Sequence, residues 1–277
     1  MNLFATRRAT AEDAPQPQRS PFMVSAASIA GAEHLRLQRN NQDGVAVYQD
    51  PSAIVAVVCD GCSAGRYSEV GSRLGARYMA SWLSANIEAE LDARLLAELT
   101  GSTLAFLLTI ARSLDGRQHG IAQPIADYLL YAFIAAVVKE ERTVIFGIGD
   151  GAFSVNGQVH HLDPGPKNAP PYLSYRLVPT KTDYTQGDLR STIYWAGASA
   201  TIESLFIGSD GLSAPCFNDE SDAQNELLRF EGQDRFVINP SLLQKRLVAL
   251  AQHHPIHDDT TMVLLRRDHR PFSEVQK

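Results

Sequence analysis

Five times in this sequence an apolar, strand-like run begins or ends on an aspartate. Asp60 follows AIVAVVC (53–59), Asp150 follows TVIFGIG (143–149), and Asp210 follows LFIGS (205–209). Asp258 and Asp259 stand directly before TTMVLLRR (260–267), and Asp43, in NNQDG, opens the strand that starts at Gly44. In each of the three runs that end on aspartate the next residue is glycine: Gly61, Gly151 and Gly211. One Asp-Gly pair is an ordinary turn. Five strand ends with the same short carboxylate constrain the fold more tightly, because strands lying side by side gather those ends in one place. Two carboxylates about 4 Å apart repel by roughly 4 kcal/mol at an effective dielectric near 20, so three or four need a cation. Hard oxygen donors favour Mg2+ or Mn2+ over zinc. The glycine after the aspartate lets backbone come close to a ligand and leaves a carbonyl free to coordinate it.

The remaining pattern supplies the strands and helices around these ends. FMVSAASIA (22–30), GVAVY (44–48) and LLYAFIAAVV (129–138) read as strands, and Gln49 to Ser52 as a turn before residues 53–59. FSVNGQVHHL (153–162) reads as a hairpin turning at Asn156-Gly157. From Ser68 the spacing becomes helical, with Val70, Leu74, Tyr78 and Leu83 four or five apart and apolar residues continuing to about Leu114. SLLQKRLVALAQ (241–252) is a short amphipathic helix. Proline-rich DPGPKNAPPYLSYR opens a segment, 163–200, that is expected to be a long surface loop. Strands in clusters with helices grouped between them point to an α+β layered domain rather than alternating βαβ units. One domain over 21–268 is expected, between a disordered tail (1–20) and a short tail (269–277).

Composition narrows the function classes. With a net charge of −6 and no basic clustering, a nucleic-acid partner is not expected. No continuous apolar run approaches the roughly 18 residues of a membrane span, so no membrane association is expected. The N-terminal stretch has no signal-peptide core, and Glu12 and Asp13 argue against a transit peptide. Three cysteines, Cys59, Cys62 and Cys216, make no even disulfide framework, so a reducing, cytoplasmic setting is expected.

Taken together, NNQDG (40–44), VVCDGCSAGRYSEVGSRLGA (57–76), FGIGDGAFSVNG (146–157), IGSDGLS (207–213) and DDTTMVLL (258–265) resemble the metal-dependent protein serine/threonine phosphatases of type 2C. AGAEHLRLQRNNQD (30–43) is most similar to their bacterial branch. The resemblance spans about Ser28 to Leu265. It implies a β-sandwich of two antiparallel sheets flanked by helices, in four layers, with Mn2+ or Mg2+ at one end. Two ions are implied, and a third in bacterial members. Asp60 would bridge two ions, and Gly61 would offer its carbonyl to one. Asp210 and Asp258 would complete the first ion's shell, and Asp43 would act through water on the other. Asp150, with Asp210, matches the third-ion position. Asp259, where the family often has asparagine, is taken as support rather than ligand. The activity implied is hydrolysis of phosphoserine and phosphothreonine on proteins by a metal-activated bridging water, with no covalent enzyme intermediate. A phosphoprotein substrate and a cognate serine/threonine kinase are the implied partners. His34 is the candidate general acid.

The sequence also departs from that pattern. The family's phosphate-gripping arginine place falls on Gln38, leaving Arg36 and Arg39 as the candidates for phosphate binding, with Arg36 the expected one. Asp-Gly-His-Gly is here Asp-Gly-Cys-Ser, and the paired threonines ahead of the third motif are missing, with Ala132 near that place. A phosphatase-like module that binds without turnover and a phosphatase of small phosphoesters therefore stay open as alternatives. The CxxC spacing of Cys59 and Cys62 lacks the helix N-terminus that a redox motif requires. No second cysteine pair supports zinc, and the histidines of AQHHPIHDD (251–259) read as a solvated turn.

Overall fold

β3 (Ala53–Gly61) organises the molecule. Ile54, Ala56 and Val58 pack into the space between two sheets, while Val55, Val57 and Cys59 face a helical layer. The strand is apolar on both faces because both faces are covered. In this computed structural model, residues 21–114, 120–178, 184–212, 229–253 and 256–269 are described. The tail expected at 1–20, all but His269 of the one expected at 269–277, Cys216 and His254 lie outside them.

One sheet has the order β2 (Gly44–Gln49), β3, β4 (Tyr131–Lys139), β5 (Arg142–Ile148), β8 (Thr192–Ala198). The other runs β1 (Phe22–Ile29), β10 (Thr260–Arg267), β9 (Ser204–Gly208), β6 (Gly151–Val155), β7 (Gln158–Leu162). Every pairing is antiparallel. The sheets meet over Ile54, Val58, Ile134, Ile145, Ile207 and Val263. α2 (Ser68–Ala85), α3 (Ala93–Leu114) and α4 (Ala122–Tyr128) cover the first sheet. α5 (Arg235–Ile238) and α6 (Pro240–His253) cover the second. This is the expected four-layer sandwich.

Three local expectations are revised. The loop expected at 163–200 contains β8, an edge strand pairing only with β5 across a bulge at Ile145/Phe146. Its position leaves most of it half exposed or exposed, so the buried alternation that marks an inner strand is absent. The expected loop is therefore shorter; its residues 179–183 lie outside the described ones, and among those described Tyr172, Leu173 and Leu189 are buried in the interior. α2 buries Gly71, Gly75, Ala76, Met79 and Ala80, whereas Leu74 of the apolar stripe is 43% exposed. Small residues win that face because the helix lies directly on its neighbours: a Cβ at Gly75 would come within 2.4 Å of the Tyr131 hydroxyl. α3 is long and apolar enough, by length and composition, to cross a membrane. Here its Leu95, Leu99 and Leu107 are packed in the interior with the first sheet. The expected hairpin turn is present, with Asn156 and Gly157 at φ 53° and 80°, the pair of positive angles that a type I′ turn requires.

Candidate metal centre

Antiparallel register explains why the aspartates meet. Gly61 at the end of β3 lies opposite Tyr131 at the start of β4, and Cys59 opposite Gly44 at the start of β2. In the other sheet Gly208, ending β9, stands beside both Ala152 and Met262, near the starts of β6 and β10. The strand ends bearing Asp43, Asp60, Asp150, Asp210 and Asp258 are therefore all at one end of the sandwich. Asp60 follows the parity of Ile54, Ala56 and Val58, which turns it toward the gap between the sheets.

Asp60, Asp150, Asp210 and Asp258 line one cleft, together with Gly61, Cys62, Ser63 and Ala132. The backbone N–H of Asp210 approaches Asp60 Oδ2 at 3.4 Å. Asp43 lies behind this wall, 3% exposed, with Oδ2 accepting from Ser209 Oγ at 2.8 Å. Ser209 Oγ in turn accepts the Thr261 N–H at 2.9 Å, tying β9 to β10. The Asp43 Oδ1 atom is buried without a hydrogen-bond partner. Gly61 has a second reason to be glycine beyond the one the sequence offers. A Cβ there would lie 2.4 Å from the Gln42 carbonyl, so the Asp60 and Asp43 segments touch through bare backbone. Gly151 adopts φ +123°, a conformation that side chains rarely take.

The electrostatics are those of a site built for positive charge. Burial pushes the Asp60 carboxyl well above its ordinary range, and Asp210, Asp43 and Asp150 push it further. Burial and then Asp259 raise Asp43. Asp150 rises from 3.8 to about 7 through burial and then the charge of Asp210. Asp210 and Asp258 are raised as well, desolvation being the largest cause for each. Carboxyls that resist ionisation together form a good hard-cation site, since one divalent ion offsets the desolvation and the repulsion at once. The unpaired Asp43 oxygen and the all-oxygen donor set fit Mn2+ or Mg2+.

The other sequence candidates are placed differently. His34, on the short helix α1 (Ala32–Leu37), is 5% exposed; its Nδ1 lies 2.8 Å from Asp259 Oδ2, and it is not part of the cleft lining. Arg36 points to solvent and pairs with Glu33 at 3.1 Å. Arg39 donates through Nη1 to the carbonyl of Ser63, at the cleft, at 2.9 Å. His34, Asp258 and Asp259 bring ligand atoms within 4.8 Å of one another. Sequence reasoning missed Asn168, Pro170 and Tyr172, which reach the cleft from the 163–191 excursion. Tyr172 shares this lining with Cys62, and no spacing signal in the sequence marks that meeting. Ser209 was missed too, although it lies inside the GSDG motif.

A family model for protein phosphatase 2C matches residues 30–249, most of the chain. The chain belongs to that family. Among solved structures, the phosphatase 2C sandwich described here is similar to Stp1, a serine/threonine phosphatase of Staphylococcus aureus. The identity is 16%, over 92% of this chain and 98% of that one, with a TM-score of 0.57. A bacterial serine phosphatase is 17% identical over 90% and 99%, with a TM-score of 0.56. The catalytic domain of the serine threonine protein phosphatase PstP, in complex with two manganese ions, is 17% identical over 88% and 97%, with a TM-score of 0.52. At these identities the likeness is one of fold. No curated protein matches the chain.

Proposed function

We propose that this phosphatase 2C member hydrolyses phosphoserine and phosphothreonine on proteins, using Mn2+ or Mg2+ held by its strand-end aspartates. The observation that carries the reading is the convergence of Asp60, Asp150, Asp210 and Asp258 on one cleft. Asp60, Asp210, Asp258 and the Gly61 carbonyl would hold a first ion. Asp60 would be shared with a second, on which Asp43 acts through water, and Asp150 with Asp210 would hold a third. The chemistry that bound ions would supply there is a water made nucleophilic near neutral pH and an offset to negative charge on the phosphoryl group.

The chain's own part is positioning. Asp60 is fixed by the ladder between β3 and β4, and Asp210 by the turn after β9. Each side chain is thus oriented before substrate arrives, which is where most catalytic advantage of this kind originates. Arg39 is the better of the two arginine candidates for the substrate phosphate, because its hydrogen bond to Ser63 holds it at the cleft while Arg36 is paired away from it. A planar guanidinium there can grip two phosphoryl oxygens at once. Asn168, Pro170 and Tyr172 line the side of the cleft where a substrate protein would dock. A cognate kinase would supply that phosphorylated substrate.

The test is phosphate release from a phosphothreonine peptide by purified protein in MnCl2, repeated in EDTA and with Asp60→Asn. Release that needs manganese and disappears in both controls supports the reading; metal-loaded protein with no release defeats it.

A further inference from the structure

Asp259 is the buried member of the acid pair that opens β10, 3% exposed, and three residues of the 31–42 stretch converge on it. Its Oδ1 accepts the Gly31 N–H at 2.8 Å. Its Oδ2 accepts the Gln42 N–H at 2.5 Å and lies 2.8 Å from His34 Nδ1. These partners are 217 to 228 residues away in sequence. Two backbone bonds reinforce the junction, from Ala32 N to the Ile256 carbonyl at 2.8 Å and from Glu33 N to the His257 carbonyl at 3.2 Å. On either side of it stand proposed ion ligands. Asp258 is the preceding residue, its Oδ1 accepting the Asp259 N–H at 2.8 Å. Asp43 directly follows Gln42.

A chelate of His34, Asp258 and Asp259 does not suit these contacts, because three of the roughly four acceptor positions of the Asp259 carboxylate are already filled. A general acid does not suit them either: the His34 ring is enclosed, bonded to Asp259 and absent from the cleft wall. We infer that His34 and Asp259 form a positioning pair that sets the divalent-ion affinity of the cleft by holding the Asp258 and Asp43 segments in register. In this pair His34 is a fixed N–H donor. The inference rests on the metal reading proposed above.

The experiment measures Mn2+ binding by isothermal titration calorimetry and, separately, turnover, for the full chain and for His34→Asn, His34→Gln and His34→Leu, with folding checked by circular dichroism. An asparagine amide can place its N–H where Nδ1 stands; glutamine reaches past that point, and leucine has no donor. The expected result is a 10–100-fold loss of Mn2+ affinity in His34→Leu and His34→Gln, the range for losing a hydrogen bond that orients metal ligands, with most of it restored in His34→Asn. Should His34→Leu not fold, the asparagine and glutamine variants carry the comparison. The opposite result is wild-type Mn2+ affinity in every variant, with loss of rate on a phosphothreonine peptide but not on p-nitrophenyl phosphate, whose phenolate leaves without a proton. That outcome makes His34 a general acid and overturns the positioning pair. Wild-type protein that binds Mn2+ and releases no phosphate overturns the functional reading alone, while absence of Mn2+ binding overturns both.

Discussion

Replacing Asp150 with asparagine should stabilise the metal-free protein, by an amount that grows with pH. Asp150 is 7% exposed, and burial together with Asp210 raises its carboxyl from 3.8 to about 7. Between those values the folded state binds more protons than the unfolded one, so stability must fall as pH rises. At 1.36 kcal/mol per pH unit the full penalty is about 4 kcal/mol, reached above pH 7 and absent below pH 4. At pH 5 the same arithmetic gives about 2 kcal/mol. Asparagine carries no charge and escapes the penalty, and its own amide desolvation makes 4 kcal/mol an upper value. For a chain of this size that corresponds to roughly 8–16 °C in Tm. The assay is thermal unfolding followed by circular dichroism in EDTA at pH 4, 5 and 8. A variant no more stable than wild type at pH 8, or a difference that does not change between pH 4 and 8, would refute the account of a strained, charge-poor acid cluster.

Adding manganese to wild-type protein at 100 times its Kd should raise stability by about 2.7 kcal/mol, or roughly 5–11 °C, in a melting experiment; no shift would contradict binding to the folded state. Gly61→Ala should cost about 100-fold in turnover, since its Cβ would lie 2.4 Å from the Gln42 carbonyl and a displacement of about 1 Å at a catalytic ligand has that effect; turnover assays within a few-fold of wild type would count against the close approach. Phe206→Ala, at a fully buried position in the core beneath α5 and α6, should lose about 3–5 kcal/mol in urea unfolding while the remaining folded protein keeps its ion affinity; a loss below 1 kcal/mol would mean that this core is looser than described.

Much of the site was legible because its signal is local: a short carboxylate at the end of an apolar run is visible residue by residue, and antiparallel packing gathers the ends. The strands β1 to β7, β9 and β10 were legible for the same reason, having covered faces or clear turns such as Asn156-Gly157. What escaped was set by tertiary contact. β8 is an edge strand whose half-exposed residues carry no clear alternation. α2 turns its glycines and alanines inward because Tyr131 and the Tyr128 carbonyl leave room for nothing larger, a preference that hydrophobic spacing cannot reveal. His34 shows the same limit. Its distance from Asp43 in sequence matched the family, but only the fold shows that it is buried against Asp259, 225 residues away.

The most direct test of the central claim is an anomalous difference map at the manganese absorption edge from crystals grown in MnCl2. The account expects at least two peaks in the cleft, both bonded to the Asp60 carboxylate and one also to Asp210 and Asp258. A cleft without peaks, or manganese bound elsewhere with Asp60 unliganded, would contradict it.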